Sequence, residues 1–212
     1  MSLCNDRRYL SSKNFSDVEI KGKNMRATRA AGSQWYRCKF DKVNFDGSTF
    51  SSARFSQCTF TSCTFQNSSF ANATFIGCEF YRCDLIQCDL AAAVVEETKF
   101  TQSRFEYSSF LESFLLKVTF HECDLTGAHL LYATSKDVDY TGSNLHNCSV
   151  KLGCPFFRGS TFDGRQWSYM QSLISETKGN EDRMGAVIPL IDQNIISATH
   201  RMMTDPEEEE GF

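Results

Sequence analysis

The chain has 212 residues, with 22 Lys and Arg against 26 Asp and Glu, a formal net charge of −4. That length fits one elongated domain with a small appendage, and no apolar run reaches the roughly 18 residues a transmembrane helix needs. Met1 to Leu10 is polar and charged, without the apolar core of a Sec signal peptide. A cytoplasmic protein is therefore expected, with delivery into a host cell by a machine that needs no such peptide as the alternative.

Residues 1–14, with Arg7, Arg8 and Lys13, are expected to blunt the N-terminal end of a repeat region that starts at Phe15. From Phe15 to Val150 the large apolar residues fall on every fifth position, as in Phe40, Phe45, Phe50, Phe55, Phe60, Phe65, Phe70, Phe75 and Phe80. A small residue sits two places before each, such as Cys38, Val43, Ser48 or Ala53. A period of five is neither the 3.6 of a helix nor the 2 of a flat strand, so it is read as a repeat architecture. Each unit then forms one side of a square coil, and four units close one turn. Turns stack at roughly 4.8 Å, with the large side chains on the axis and the small ones between them. The expected class is an all-β solenoid, a quadrilateral β-helix over residues 15–164. Met25, Ala30 and Ser135 are weak units, and near Pro155 the phase shifts by two, to Phe157 and Phe162.

Beyond Gly164 the pattern changes. Trp167, Tyr169, Met170, Leu173 and Ile174 have the three-and-four spacing of an amphipathic helix, and Gly179-Asn180 breaks it. Val187, Ile188, Leu190, Ile191, Ile195, Ile196 and Met202 suit a second helix, ended by Asp205-Pro206. Residues 165–204 are thus expected to cap the coil, to join two copies, or both, with Trp167, Leu173, Ile191 and Ile195 as contact residues. Residues 205–212 form an acidic tail.

Eight of the ten Cys occupy the small inward slot. A free Cys behaves there as a small buried hydrophobe, so unpaired thiols are expected. Charge is uneven: residues 20–43 sum to +6, residues 44–135 to −5 and residues 165–212 to −5.

The search for chemistry returns little. There is no G-x-x-x-x-G-K and no H-E-x-x-H. His121 and Cys123, like His146 and Cys148, look like metal pairs, but the register sends each His out and each Cys in. The outward layer gathers no nucleophile, base and orienting group, and a smooth shaft offers no deep pocket. A non-enzymatic protein without cofactor or metal is expected. One outward column is apolar: Ala71, Ala91, Leu111 and Leu131, with Ala92 and Tyr132 beside it and Ile86, Tyr107 and Leu116 on flanking faces. Such a patch marks a contact surface for a partner, or a seat for the C-terminal helices.

The runs F-S-Q-C-T-F-T-S-C-T-F (55–65) and F-I-G-C-E-F-Y-R-C-D-L-I-Q-C-D-L (75–90) resemble the pentapeptide-repeat proteins. The resemblance implies a right-handed quadrilateral β-helix of about seven coils. Residues 75–90 also look like the quinolone-resistance members, which dimerise through C-terminal helices and engage DNA gyrase as mimics of duplex DNA. That implies a topoisomerase as partner and no direct nucleic-acid binding. The second expectation is an interaction scaffold, such as a secreted bacterial effector that docks host proteins through its faces.

Overall fold

The structure is a computed structural model that describes residues 9–150 together with 157, 158, 161, 164 and 166. Residues 1–8, the helical segment expected over 165–204 with its contact residues Trp167, Leu173, Ile191 and Ile195, and the tail 205–212 lie outside what is described, apart from Gln166.

A parallel β-solenoid is the result. Strands on face 1, centred on the inward residues Phe15, Trp35, Phe55, Phe75, Val95, Leu115 and Ser135, stack in one sheet with a register of twenty residues. Six full turns separate Asn14 from Thr134 along it. The last strand of that sheet pairs Ser135 with Phe157, a register of twenty-two. The phase shift seen near Pro155 is therefore a two-residue insertion that the ladder absorbs, and Asp139 bridges Thr161 with the same offset. Face 2, centred on Ile20, Phe40, Phe60, Phe80, Phe100 and Phe120, forms a second parallel sheet. Faces 3 and 4 are joined mostly by single bridges, for example Thr64 to Asp84 to Arg104 and Ser69 to Asp89 to Ser109, until His129–Leu130 pairs with Ser149–Val150 as a two-stranded sheet on face 4. Among the described residues, Tyr9 bridges Arg29 and Leu10 already lies in the core, so stacking reaches into the stretch read as a cap.

The two kinds of face differ at their corners. After faces 3 and 4 the backbone closes a β-turn, as in Ser68 N–H to Phe65 C=O at 3.0 Å and Ala73 N–H to Phe70 C=O at 2.8 Å. Asn or Asp before the inward residue braces these turns: the Asp84, Asp89 and Asp124 carboxylates accept from the N–H of Ile86, Ala91 and Thr126. Faces 1 and 2 mostly carry other residues in that place, such as Gln34, Arg54, Thr74, Val94 and Phe114 on face 1 and Lys39, Thr59, Glu79 and Thr119 on face 2, and there run as three-residue strands. Every corner from Ser12 to Asn147, five residues apart, holds a left-handed residue with φ near +50 to +75°. Only some are Gly; Arg37, Gln87, Tyr107 and Tyr132 carry the same φ, a cost of about 1–2 kcal/mol each relative to Gly. Interior stacking must supply it.

The core does so with aromatic rings. On face 2 an unbroken ladder of Phe40, Phe60, Phe80, Phe100, Phe120 and Tyr140 has centroid spacings of 4.4 to 5.3 Å. Neighbouring faces meet edge to face, as in Phe55 to Phe60 at 5.7 Å and 69°. Both arrangements suit the ring quadrupole. Two of the weak units make room for an oversized neighbour. Ala30 precedes Trp35, whose indole N–H donates to Ser33 Oγ at 2.8 Å. Ser135 precedes Tyr140, and its hydroxyl lies 2.9 Å from the Tyr140 hydroxyl in a fully buried pair. Tyr140→Phe removes one partner of that pair and should lower unfolding free energy by about 1–3 kcal/mol, read as a shift in denaturant midpoint. Adding Ser135→Ala should recover part of the loss, because no hydroxyl is then left alone.

Candidate interaction surfaces of the rod

The inward small slot has a task beyond filling space. In many turns its hydroxyl or thiol donates to the carbonyl of the large residue twenty-three places back, on the preceding face of the coil below. Ser68 Oγ reaches Phe45 C=O at 2.8 Å, Ser143 Oγ reaches Phe120 C=O at 2.8 Å, and Cys123 Sγ reaches Phe100 C=O at 3.4 Å. Cys58 and Cys78 do the same for Trp35 and Phe55. These thiols are core donors, and all eight described Cys are buried and free of disulfides.

Burial pushes the Cys123 and Cys148 thiols up to about 12. Cys58 is pulled down by its hydrogen bond with Cys38, but its bond with Cys78 and its burial carry it to about 12 as well. An unfolded thiol titrates near 9, so above that pH the unfolded chain loses a proton that the fold retains. Stability should be full below pH 9 and fall from 9 towards 12, by about 1.4 kcal/mol per pH unit for each such thiol. Urea unfolding at pH 7, 9 and 10 tests this. A slope that Cys123→Ala and Cys148→Ala leave unchanged would assign the loss to other groups.

His121 is exposed and Cys123 buried, and the same holds for His146 and Cys148, so each pair is divided by the wall. Among the described residues no group of three or more His, Cys, Asp and Glu is gathered for a metal, and no helix is long and apolar enough to cross a membrane.

Two outward surfaces stand out. The first is apolar. Leu111 is 36% exposed and Tyr132 51%, with Ala91, Ala92 and Leu131 beside them on the corner between faces 4 and 1. Leu116 is half-buried on face 1. The structure adds Val94 and Phe114, exposed at 37% and 40% on strands of face 1 next to that corner. They stack directly, twenty residues apart, above Thr74. That column was readable, because residues 94 and 114 sit where other units carry polar residues. Ile86 and Tyr107 are not part of this strip: they lie at the corner between faces 3 and 4. There the Tyr107 ring packs on Gly127, where a Cβ would come within 2.7 Å of it.

The second surface is acidic. Within residues 44–135, counting each corner with the face it follows, faces 3 and 4 carry Asp46, Asp84, Asp89, Glu106, Glu112 and Asp124 against Arg104 alone, six minus one. Faces 1 and 2 carry Glu79, Glu96, Glu97 and Glu122 against Arg54, Arg82, Lys99 and Lys117, four minus four. The whole net charge of −5 therefore belongs to one half of the circumference. Arg104 pairs with Asp84 there, and Gln66 Nε2 donates to Asp84 at 2.6 Å. On the neutral half Lys117 pairs with Glu97 at 3.3 Å.

The sequence matches the family described as pentapeptide repeat region over residues 53–130, and that described as pentapeptide repeats (8 copies) over residues 36–67. No curated protein matches. Among solved structures, HetL, a pentapeptide repeat protein involved in heterocyst differentiation regulation from the cyanobacterium Nostoc sp. strain PCC 7120, is similar at 14% identity, with 74% of this chain and 75% of that one covered and a TM-score of 0.52. A trypsin-treated variant of QnrB1, a plasmid-mediated fluoroquinolone resistance protein, is 19% identical over 79% of this chain and 95% of that one, with a TM-score of 0.44. A pentapeptide repeat protein from the Arabidopsis thaliana thylakoid lumen is 23% identical over 42% of this chain and 74% of that one, with a TM-score of 0.33. A square parallel solenoid with a five-residue repeat and a left-handed residue at each corner defines one class. Residues 36–130 of the chain carry pentapeptide repeats, and its fold is that of pentapeptide-repeat proteins.

Proposed function

We propose that this protein is a non-enzymatic binding rod whose acidic half enters the DNA-binding groove of a protein partner in place of duplex DNA. The single observation that carries the reading is the confinement of the −5 to two adjacent faces. Residues 44–135 rise about 22 Å at roughly 4.8 Å per turn. Duplex DNA of that length carries about 13 charges around its whole circumference, at one per 1.7 Å, so about half of them face any one side. Averaged over the rod, −5 is a poor copy; set on one half, it approaches what a groove meets. The neutral half and the basic N-terminal turns give the rod a polarity that fixes its orientation in such a groove.

DNA gyrase is the partner to test first, because residues 75–90 resemble the quinolone-resistance members. The experiment is a supercoiling assay titrated with the protein, with and without a quinolone. Inhibition, or relief of quinolone poisoning, at micromolar protein is expected. Neither effect, in an assay where the protein also fails to compete with DNA on the isolated enzyme, would remove gyrase from the reading.

A further inference from the structure

The apolar strip is bounded at both ends. Its strand column on face 1 reads Thr74, Val94, Phe114, Thr134, one residue per turn. The corner column on one side reads Ala71, Ala91, Leu111, Leu131, small below and large above. On the other corner of the same face stand Gly77, Glu97, Lys117 and Asp137, all with a left-handed backbone. Glu97 and Lys117 pair at 3.3 Å, and both side chains are more than half exposed. All three columns change character between the turn of Val94 and that of Phe114. A second copy can therefore lie face to face and antiparallel on this one, about a twofold axis that runs across face 1 at that level. Each column then meets its own reversed copy. Phe114 lies on Val94, Leu111 on Ala91 and Leu131 on Ala71, so large side chains meet small ones. Thr74 lies on Thr134, and Lys117 meets Glu97 twice. A slip of one turn loses this. In one direction it sets Lys117 on Lys117 and Glu97 on Asp137, and in the other Glu97 on Glu97. Like charges then oppose each other, which disfavours both slips.

We propose that the strip is the contact of an antiparallel homodimer in this register, formed along the side of the rod. The charges and the sizes select the same register independently, and that agreement is what names a second copy as the occupant. The area sets the strength. Four turns are roughly 19 Å deep and a five-residue side is at most about 16 Å wide, so each copy contributes roughly 300 Å². A stable interface takes about 800 Å² from each partner, so this dimer belongs to the weak, reversible class. Faces 3 and 4 stay open in it, and the contact stands whether or not their acids meet a partner.

The test is sedimentation equilibrium of the full chain at low salt. Between about 5 and 500 μM the protein should pass from monomer to dimer. Leu111→Glu with Phe114→Glu, both outward and outside the core, should weaken association about a hundredfold or more while thermal unfolding changes little. Glu97→Lys and Lys117→Glu each make both cross-pairs like-charged, and each alone should weaken association about tenfold. An equimolar mixture of these two variants should associate again, because every cross-pair of the mixed dimer is opposite in charge. The pair within one copy cannot produce that recovery, since it is broken in each variant whatever the partner. A monomer over the whole range overturns the proposal, including one whose strip is covered by a later part of its own chain. So does a dimer indifferent to the Leu111 and Phe114 changes, or a mixture no more associated than its separate components.

Discussion

Phe75→Ala should destabilise the rod by about 3–5 kcal/mol, the largest effect expected from one substitution in it. Phe75 is buried in the middle of the stack, with Phe55 stacked below at 5.1 Å and Phe70 and Phe80 edge-on at 5.4 and 5.6 Å. Above it lies Val95, which cannot reach down to fill the space. Neighbouring turns cannot close the gap either, since backbone ladders on four sides hold them at a fixed rise. The cavity therefore stays, and the transfer and cavity terms add. Because each turn touches only its neighbours, the damage should also weaken coupling between the turns below and above it. Chemical denaturation should show a lower midpoint and a shallower transition. A loss below about 1 kcal/mol would mean that the column repacks, contrary to the geometry described.

The second large effect concerns the acidic half. Combining Asp84→Asn, Asp89→Asn, Glu106→Gln, Glu112→Gln and Asp124→Asn leaves Asp46 and Arg104, whose charges cancel, and takes faces 3 and 4 to zero. At about 0.2–1 kcal/mol for each exposed charge, partner affinity should fall by about 1–5 kcal/mol. The choice of Asn matters. The carboxylates of Asp84, Asp89 and Asp124 also brace β-turns, and the Asn side-chain oxygen accepts the same N–H, as Asn44 already does for Asp46 at 2.9 Å. The fold should therefore persist while binding is lost and its salt dependence flattens. Asp84 also pairs with Arg104, so Asp84→Asn alone should do least. Equal binding by the neutral variant would assign those acids to turn chemistry and end the DNA-mimic reading.

The turn role accounts for part of the acid on this half. Face 3 carries Asn or Asp before the inward residue at 24, 44, 84, 124 and 144, and face 4 carries Asp89, and where that residue is Asp the face becomes acidic for structural reasons. Selection for a charged partner surface is then an extension of a local requirement. Glu106 and Glu112 have no such bracing bond among the described contacts, so they are the informative members of the set.

Much of this was legible in the residues. The period of five assigned inside and outside, and the return after twenty placed Cys38, Cys58 and Cys78 in one column, as the Cys58 and Cys78 hydrogen bonds to Trp35 and Phe55 bear out. The segregation of charge and the column of Val94 and Phe114 were also encoded in that twenty-residue return, but a sum along the chain and a search of one column pass over them.

By itself, then, the sequence determined the repeat, its register and the direction each side chain takes, because a side chain's period depends only on where the backbone bends. Only the tertiary structure decided what the weak units are for, which carbonyl each inward thiol or hydroxyl serves, and which corners close a hydrogen bond. Those depend on distances between residues twenty or more apart, set by how one turn settles on the next. Ser135 beneath the Tyr140 hydroxyl and Cys123 beside the Phe100 carbonyl have no counterpart in a local pattern.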